Sequence, residues 1–138
     1  MTTDDLYRYL KGKYPQDKIY KGRLYGNDER CLVIYNRESA KPDIAVGGIP
    51  NTSTGTKPFR VLVHWSDTYG ECEEKAADVY ASLAELAEET AGNASVCFAQ
   101  MLDGEAVDLG ADEKGIFERA IRLNIFYERQ WENGLSSI

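Results

Sequence analysis

The segment "RVLVHWSDTYGECEEKAADVYASLAELAEET", residues 60–90, decides the fold. At its start Val61, Val63 and Trp65 occupy every second position, and this period, with β-branched and aromatic residues, predicts a mostly buried strand. The period then lengthens to three and four residues, which predicts an amphipathic helix. The apolar stripe of this helix comprises Cys72, Ala76, Val79, Tyr80, Leu83, Leu86, Ala87 and Thr90.

The predicted helix has recognisable ends and a charged outer face. Thr68 and Glu71 have the spacing of a capping box, so the helix is expected to begin at Tyr69. Gly92-Asn93 is expected to end it. The outer face carries acidic residues that are candidates for a subunit contact: Glu71, Glu74, Asp78, Glu85 and Glu89.

Shorter elements are predicted before this segment. Thr2 or Thr3 can cap a first helix that ends at residues 11–13. Two strands, Lys18 to Tyr25 and Cys31 to Tyr35, are expected to form a hairpin across Gly26-Asn27-Asp28, and a short strand is expected from Ile44 to Ile49.

After the long helix the pattern predicts two more strands and an acidic excursion between them. The strands run from Val96 to Leu102 and from Ile116 to Tyr127, and the polar stretch between them spans Asp103 to Gly115. The tail is expected to fray from about residue 131. The chain is therefore predicted to be one α+β domain over residues 1–138, an antiparallel or mixed sheet with one long helix on one face and a short N-terminal helix.

Charge is divided unevenly along the 138 residues. Residues 1–69 contain 11 Lys and Arg against 8 Asp and Glu, a net charge of +3, whereas residues 70–138 contain 5 against 15, a net charge of −10. The acidic half is unsuited to gripping duplex DNA, which requires clustered cations. A solvated face explains the acids most simply, but opposite charge on two surfaces would also favour head-to-tail assembly of identical subunits.

The cysteines and the first residues of the sequence predict an intracellular, reducing compartment. Cys31, Cys72 and Cys97 form no CxxC pair and lie in apolar patterns, so they are expected to be free thiols in a reducing environment. No apolar run approaches the roughly 20 residues that span a bilayer, and the first residues do not resemble a signal peptide. A soluble intracellular protein is expected.

No catalytic or cofactor motif is evident in the sequence. The lone His64 lies within the predicted strand, where a structural histidine is far commoner than a catalytic one, and a zinc site is not expected. The glycine-rich stretch Gly47 to Lys57 lacks P-loop spacing. Its polar part is interpreted as a flexible loop: Asn51, Thr52, Ser53, Thr54, Gly55 and Lys57.

The acidic excursion does not match an EF-hand. Its residues are interpreted mainly as solvating, with a weak divalent-ion site as the alternative. They are also candidates for a functional loop: Asp103, Glu105, Asp108, Asp112, Glu113 and Lys114.

One run of sequence resembles a known family. "QMLDGEAVDLGADEKGIFERAIRLNIFYER", from Gln100, is similar to the tail-terminator (tail-completion) proteins of long-tailed bacteriophages, some of which are catalogued as minor capsid proteins. The features that carry the likeness are the loop "LGADEKG", residues 109–115, and the closing strand with Asn124 near its middle. The resemblance covers roughly Ile44 to Tyr127, about 60% of the chain.

The resemblance implies a structural virion protein of a phage or prophage without catalytic activity or cofactor. Such a subunit forms a hexameric ring at the head-proximal end of the tail tube, stops tube polymerisation and binds the head connector. It would be assembled in the bacterial cytoplasm, act at the tail–head junction, contact DNA only as passing cargo and have no membrane partner. One of the two long polar loops is expected to line the lumen, where acids would repel the DNA backbone. The alternatives are a neck or head-completion adaptor and, different in kind, a small hydrolase or ligand-binding enzyme that uses His64.

Overall fold

A computed structural model describes residues 1–37 and 54–128 of the chain. The elements run in the order α1, β1, β2, β3, α2, β4, β5, β6, β7. Their bounds are α1 Thr3–Lys13, β1 Lys18–Lys21, β2 Arg30–Asn36, β3 Thr54–Trp65, α2 Tyr69–Ala84, β4 Ala87–Ala91, β5 Ala94–Met101, β6 Val107–Ala111 and β7 Phe117–Glu128. The predicted strand over residues 44–49 and the tail beyond residue 128 lie outside the described residues.

The seven strands form one curled mixed sheet in the order β1-β2-β3-β7-β5-β4, with β6 also paired to β7. All neighbouring strands are antiparallel except β1 and β2, which are parallel. The predicted hairpin across Gly26-Asn27-Asp28 is therefore wrong. Residues 22–29 return the chain to the start of β2, and β2 then pairs antiparallel with β3, which places β1 at the sheet edge.

The central pair, β3 and β7, confirms the strand predicted around Val61. Its pairing extends from His64 opposite Glu118 to Thr54 opposite Glu128. Thr54, Gly55 and Lys57 therefore belong to β3 and not to a flexible loop, because β7 is long enough to supply partners for their backbone groups. Asn51, Thr52 and Ser53, the rest of that predicted loop, lie outside the described residues.

Helix α2 is shorter than predicted, at 16 residues. It begins at Tyr69 as expected, but Thr68 makes no side-chain capping bond. Glu85 is the C-cap residue and Glu89 lies on β4, so neither is on the helix face to which the sequence assigned it. The apolar spacing continues past residue 84, but Glu88 adopts φ of 52° and the chain turns into β4, whose backbone bonds to β5.

Helix α1 confirms its prediction, with Thr2 as the N-cap in a capping box with Asp5. Asp5 is buried and also accepts a hydrogen bond from the backbone N–H of Asn93, at 2.9 Å. Gly92-Asn93, predicted to end the long helix, is instead the two-residue turn between β4 and β5. The carboxylate of Asp5 thus fixes the first helix to that turn.

The predicted strand at Val96 exists but does not keep one face throughout. A register shift between Val96 and Phe98 reverses the alternation, so Val96 is buried whereas Phe98 is exposed on the opposite face. Period-two alternation would place these two side chains on one face, because a bulge cannot be read from it.

The acidic excursion contains a strand that the sequence analysis missed. β5 and β6 pair, one after the other, with the same edge of β7: Met101 lies opposite Leu123, and Val107 opposite Ala120. Within the acidic excursion, residues 102–106 connect β5 to β6 without strand pairing, and residues 112–116 form the turn into β7.

Both helices pack on one face of the sheet and enclose the main core. Fully buried side chains from α1, α2 and the strands meet there: Leu6, Leu10, Val79, Leu83, Phe59, Val61, Ile121, Leu123 and Ile125. On the other face a smaller cluster joins Cys31, Val33 and Leu62. Cys31 and Cys72 are buried free thiols, as expected. Neither of the two helices in the described part of the chain has the length and apolar content needed to cross a bilayer.

Candidate functional site

The tertiary structure divides the acidic residues of the predicted loop among three separate neighbourhoods. Asp103 lies beside Arg122, Asp108 beside Tyr69 and Arg119, and Asp112 beside His64. Glu105, Glu113 and Lys114 are exposed, and Lys114 donates to the side chain of Asn27. The acids are therefore not one patch, and three of them have partners that hold neighbouring elements together.

Asp103 forms a paired interaction with Arg122 of β7. The two guanidinium nitrogens Nε and Nη2 lie 2.9 Å and 2.8 Å from the two carboxylate oxygens, the fork geometry that arginine and carboxylate favour. These bonds hold the pKa of the Asp103 carboxyl below its usual value. The pair anchors the start of residues 102–106 to the outer face of the sheet.

Asp108 of β6 is linked to the first turn of α2. Its Oδ2 accepts from the hydroxyl of Tyr69 at 2.8 Å, and the same hydroxyl accepts from the guanidinium of the buried Arg119 at 2.8 Å. Two hydrogen bonds keep the pKa of the Asp108 carboxyl below its usual value: the backbone N–H of Gly110 has the larger effect and the hydroxyl of Tyr69 the smaller. The arrangement binds β6, β7 and α2 into one unit.

The third neighbourhood, which we call the His64 cluster, comprises His64, Asp112 and Glu118. Nδ1 of His64 lies 2.9 Å from Oε2 of Glu118 and 3.9 Å from Oδ2 of Asp112. The side chain of His64 is only 3% exposed, that of Glu118 is 22% exposed and that of Asp112 is 26% exposed. Two of its members, His64 and Asp112, line a cleft of about 450 Å³ whose lining also includes Asn27 and Asp28.

Asp112 is held in place by the turn that contains it. Its Oδ1 accepts from the backbone N–H groups of Ile116 and Lys114, both at 2.9 Å, and the N–H of Ile116 contributes most to keeping its carboxyl pKa below the usual value. Oδ2 is thereby directed toward His64. Sequence reasoning missed this cluster because the pairing of β3 with β7 brings together residues 54 positions apart, and neither residue belongs to a recognisable motif.

The acids predicted on the helix face also differ in their surroundings. Glu71 pairs with Arg30 at 2.6 Å, whereas Glu74 and Asp78 are exposed on α2. Lys75, the one base on this helix, pairs with Asp17 at 2.5 Å and lies over the rings of Tyr14 and Trp65. The helix therefore presents a net negative outer face.

A surface with an aromatic centre and acidic surroundings lies at the β4 end of the sheet; we call it the acidic edge. Phe98 is 48% exposed, and its ring stacks on Phe126 with centroids 4.5 Å apart. Three acids line the same cleft of about 510 Å³: Glu88, Glu89 and Glu128. An apolar centre with a charged border is the usual composition of a protein interface.

A surface of complementary character lies at the other end of the strand order; we call it the basic edge. Tyr25 is 44% exposed, and the guanidinium of Arg23 lies over its ring at 4.6 Å. Lys18 and Lys21 of the neighbouring strand β1 are also exposed, but they pair with Asp28 and Asp4 at 2.7 Å and 2.9 Å. Arg23 therefore gives this edge a charge opposite to that of the acids at the acidic edge.

Comparisons with known proteins identify one family. Residues 9–129 match the model of a family described as bacteriophage tail terminator protein. No curated protein matches the chain. One solved structure is similar over 96% of this chain and 99% of its own, at 16% sequence identity and a TM-score of 0.47.

Proposed function

The chain belongs to the bacteriophage tail terminator family, a family of structural proteins of the virion, and on that premise we propose that it forms a ring that ends the tail tube. The ring, of six subunits as the family resemblance implies, closes the head-proximal end of the tube. It stops further polymerisation and provides the surface to which the head connector binds.

The contact between subunits is proposed to join the acidic edge of one subunit to the basic edge of the next. A ring with rotational symmetry has heterologous contacts, in which the two surfaces differ and therefore need complementary chemistry. The exposed Phe98 and its acidic border on one edge, with Tyr25 and Arg23 on the other, have that property. The contrast in chemistry between the two edges is the observation that supports ring assembly.

The proposed contact would also give a partner to the strands at the two ends of the sheet. In the described part of the sheet β1 and β4 are the terminal strands, and edge strands attract other strands unless charge or partners protect them. Glu88 and Glu89 on β4 repel a second copy of the same edge and favour a partner of opposite charge, such as Arg23 at the basic edge.

The function is tested by adding the purified protein to polymerising tail-tube protein of the same phage. We expect shorter tubes, with ring density at one end in negative-stain micrographs, since a terminator removes the growing end. Unchanged tube lengths with bare ends would overturn the proposal. Binding to the head connector without binding to tubes would instead support a neck adaptor.

The subunit contact is tested by reversing charge on each edge. Glu89→Lys and Arg23→Glu should each reduce ring formation at tube ends, and the double variant should restore it, because the charges are again opposite. Glu74→Lys serves as the matched control, as it reverses one exposed acid on the outer face of α2, away from both edges. Loss of rings in the control but not in Glu89→Lys would assign the contact to the helix face.

A further inference from the structure

We propose that the His64 cluster binds a divalent transition metal, Zn²⁺ or Mn²⁺, through Nδ1 of His64, Oδ2 of Asp112 and Oε2 of Glu118. The proposal does not depend on ring formation or on the tail-tube function. It departs from the expectation drawn from the sequence, in which a lone histidine with dispersed cysteines made a zinc site improbable and a weak ion site was only an alternative for the acidic loop that contains Asp112.

The positions of the three atoms support coordination. Bonds of about 2.0–2.2 Å at tetrahedral angles place two ligand atoms about 3.4 Å apart. The distances from Nδ1 to the two carboxylate oxygens, 2.9 Å and 3.9 Å, lie on either side of that value, and all three ligand atoms are within 4.8 Å of one another. Small side-chain rotations would therefore make both distances equal to those around one ion.

The charge of the cluster supports a cation as its ligand. Among residues 1–37 and 54–128, neither Asp112 nor Glu118 forms an ion pair with lysine or arginine. Lys114, the nearest base in the turn, donates to Asn27. Two partly buried carboxylates beside a buried imidazole thus have an unbalanced negative charge, which a divalent ion would neutralise.

The donor set indicates the class of metal. Mg²⁺ and Ca²⁺ prefer sites made wholly of oxygen atoms, whereas imidazole nitrogen with carboxylates suits Zn²⁺ and Mn²⁺. Three protein ligands leave at least one coordination position for water on the side of the cleft. Since the ligands come from β3, the turn at residues 112–116 and β7, a bound ion would fix this turn to the sheet.

Metal binding is tested by isothermal titration of the metal-free protein with ZnCl₂ and with MnCl₂. We expect one ion per chain and a melting temperature that rises by roughly 10 °C at a free metal concentration of about 100 times the Kd. Asp112→Asn and Glu118→Gln, which preserve side-chain shape, should each weaken binding at least tenfold. Glu113→Gln, the matched control in the same turn and cleft, should bind as the wild type does.

A Co²⁺ spectrum separates this site from the partly exposed Cys97. Visible d–d bands without thiolate charge-transfer absorption, lost in His64→Gln, are the expected result. The proposal is wrong if neither metal produces heat or a thermal shift in the wild type, or if both carboxylate variants bind with wild-type affinity. Circular dichroism of each variant establishes that loss of binding is not loss of folding.

Discussion

The carboxylate of Asp5 accepts a hydrogen bond from the backbone N–H of Asn93, 88 residues further along the chain, at 2.9 Å. It also accepts from the backbone N–H of Thr2 at 2.8 Å, so that one side chain caps the first helix and fixes the turn between β4 and β5. This residue therefore connects the two ends of the curled sheet through α1.

Replacing Asp5 with alanine is expected to lower the free energy of unfolding by about 1–3 kcal/mol. The loss has two sources, a missing capping interaction and backbone donors left without an acceptor in a buried position. Urea denaturation measures the change. Asp4→Ala is the matched control, because Asp4 is an exposed neighbour in the same helical turn, and it should change stability little. Equal effects of the two substitutions would contradict this assignment.

The contribution of Asp5 should depend on pH. Burial raises the pKa of this carboxyl, but the backbone N–H groups of Asn93 and Thr2 outweigh that effect and lower it below its usual value. A lowered folded-state pKa stabilises the fold above the unfolded-state value of about 3.9, and that stability is lost as pH falls through the folded-state value. The stability difference between wild type and Asp5→Asn should thus be constant above about pH 5 and decrease below about pH 4. A stability difference between wild type and Asp5→Asn that grew as the pH fell would contradict a lowered pKa for Asp5.

Gly92→Ala should be more destabilising than Gly110→Ala. Both glycines have positive φ, 59° and 80°, so both substitutions incur the left-handed backbone cost of roughly 1–2 kcal/mol. Only at Gly92 would the new Cβ also approach the backbone, at 2.6 Å from Cα of Asp5, whereas nothing lies within 4 Å at Gly110. Thermal denaturation of the two variants should give a clearly lower Tm for Gly92→Ala, and equal Tm values would show that α1 can move away.

Leu83→Ala is expected to cost about 2–5 kcal/mol, because Leu83 is fully buried between α2 and the sheet and its truncation leaves a cavity. The comparison is Leu109→Ala, which removes the same atoms from an exposed side chain of β6. Chemical denaturation of both variants provides the measurement. A loss below about 1 kcal/mol for Leu83→Ala would mean that the helix is not packed as described.

Phe98→Ala should weaken ring assembly at least tenfold while leaving the monomer folded. The exposed ring stacks on Phe126, and aromatic pairs of this kind contribute only about 0.5–1.5 kcal/mol to folding. The concentration at which rings appear at tube ends, counted in micrographs, measures the effect. Leu109→Ala again serves as control, since Leu109 is exposed outside the acidic edge. Assembly of Phe98→Ala at wild-type concentrations would remove this residue from the contact.

Some elements were predictable because local pattern determines them. The strand at Val61 follows from its side-chain period, and the first helix from the capping box of Thr2 with Asp5. Helix α2 also begins at Tyr69 as expected, although the capping bond predicted for Thr68 is not made. The end of α2 was not predictable, because Leu86 keeps the helical spacing although it belongs to the connection into β4. Leu86 is buried in the connection, as it would also be on the apolar face of a longer helix, so the hydrophobic pattern does not show where the helix ends.

The three acidic neighbourhoods show the corresponding limit for the candidate sites. Asp103, Asp108 and Asp112 are close in sequence and were read as one loop. They meet different partners because Asp103 lies in the connection before β6, Asp108 on β6 and Asp112 in the turn after it. The relation of Asp112 to His64 and Glu118 depends on the register of β3 against β7, which no local pattern encodes.

By itself the sequence determined the α+β class, the apolar faces, the uneven charge and, through a recognisable run after Gln100, the tail terminator family. Only the tertiary structure decided the parallel pairing of β1 with β2, the length of β3, the positions of the acidic and basic edges and the His64 cluster. The physical reason is that side-chain period records which face of an element is buried, whereas strand order and register arise from backbone pairing between distant residues.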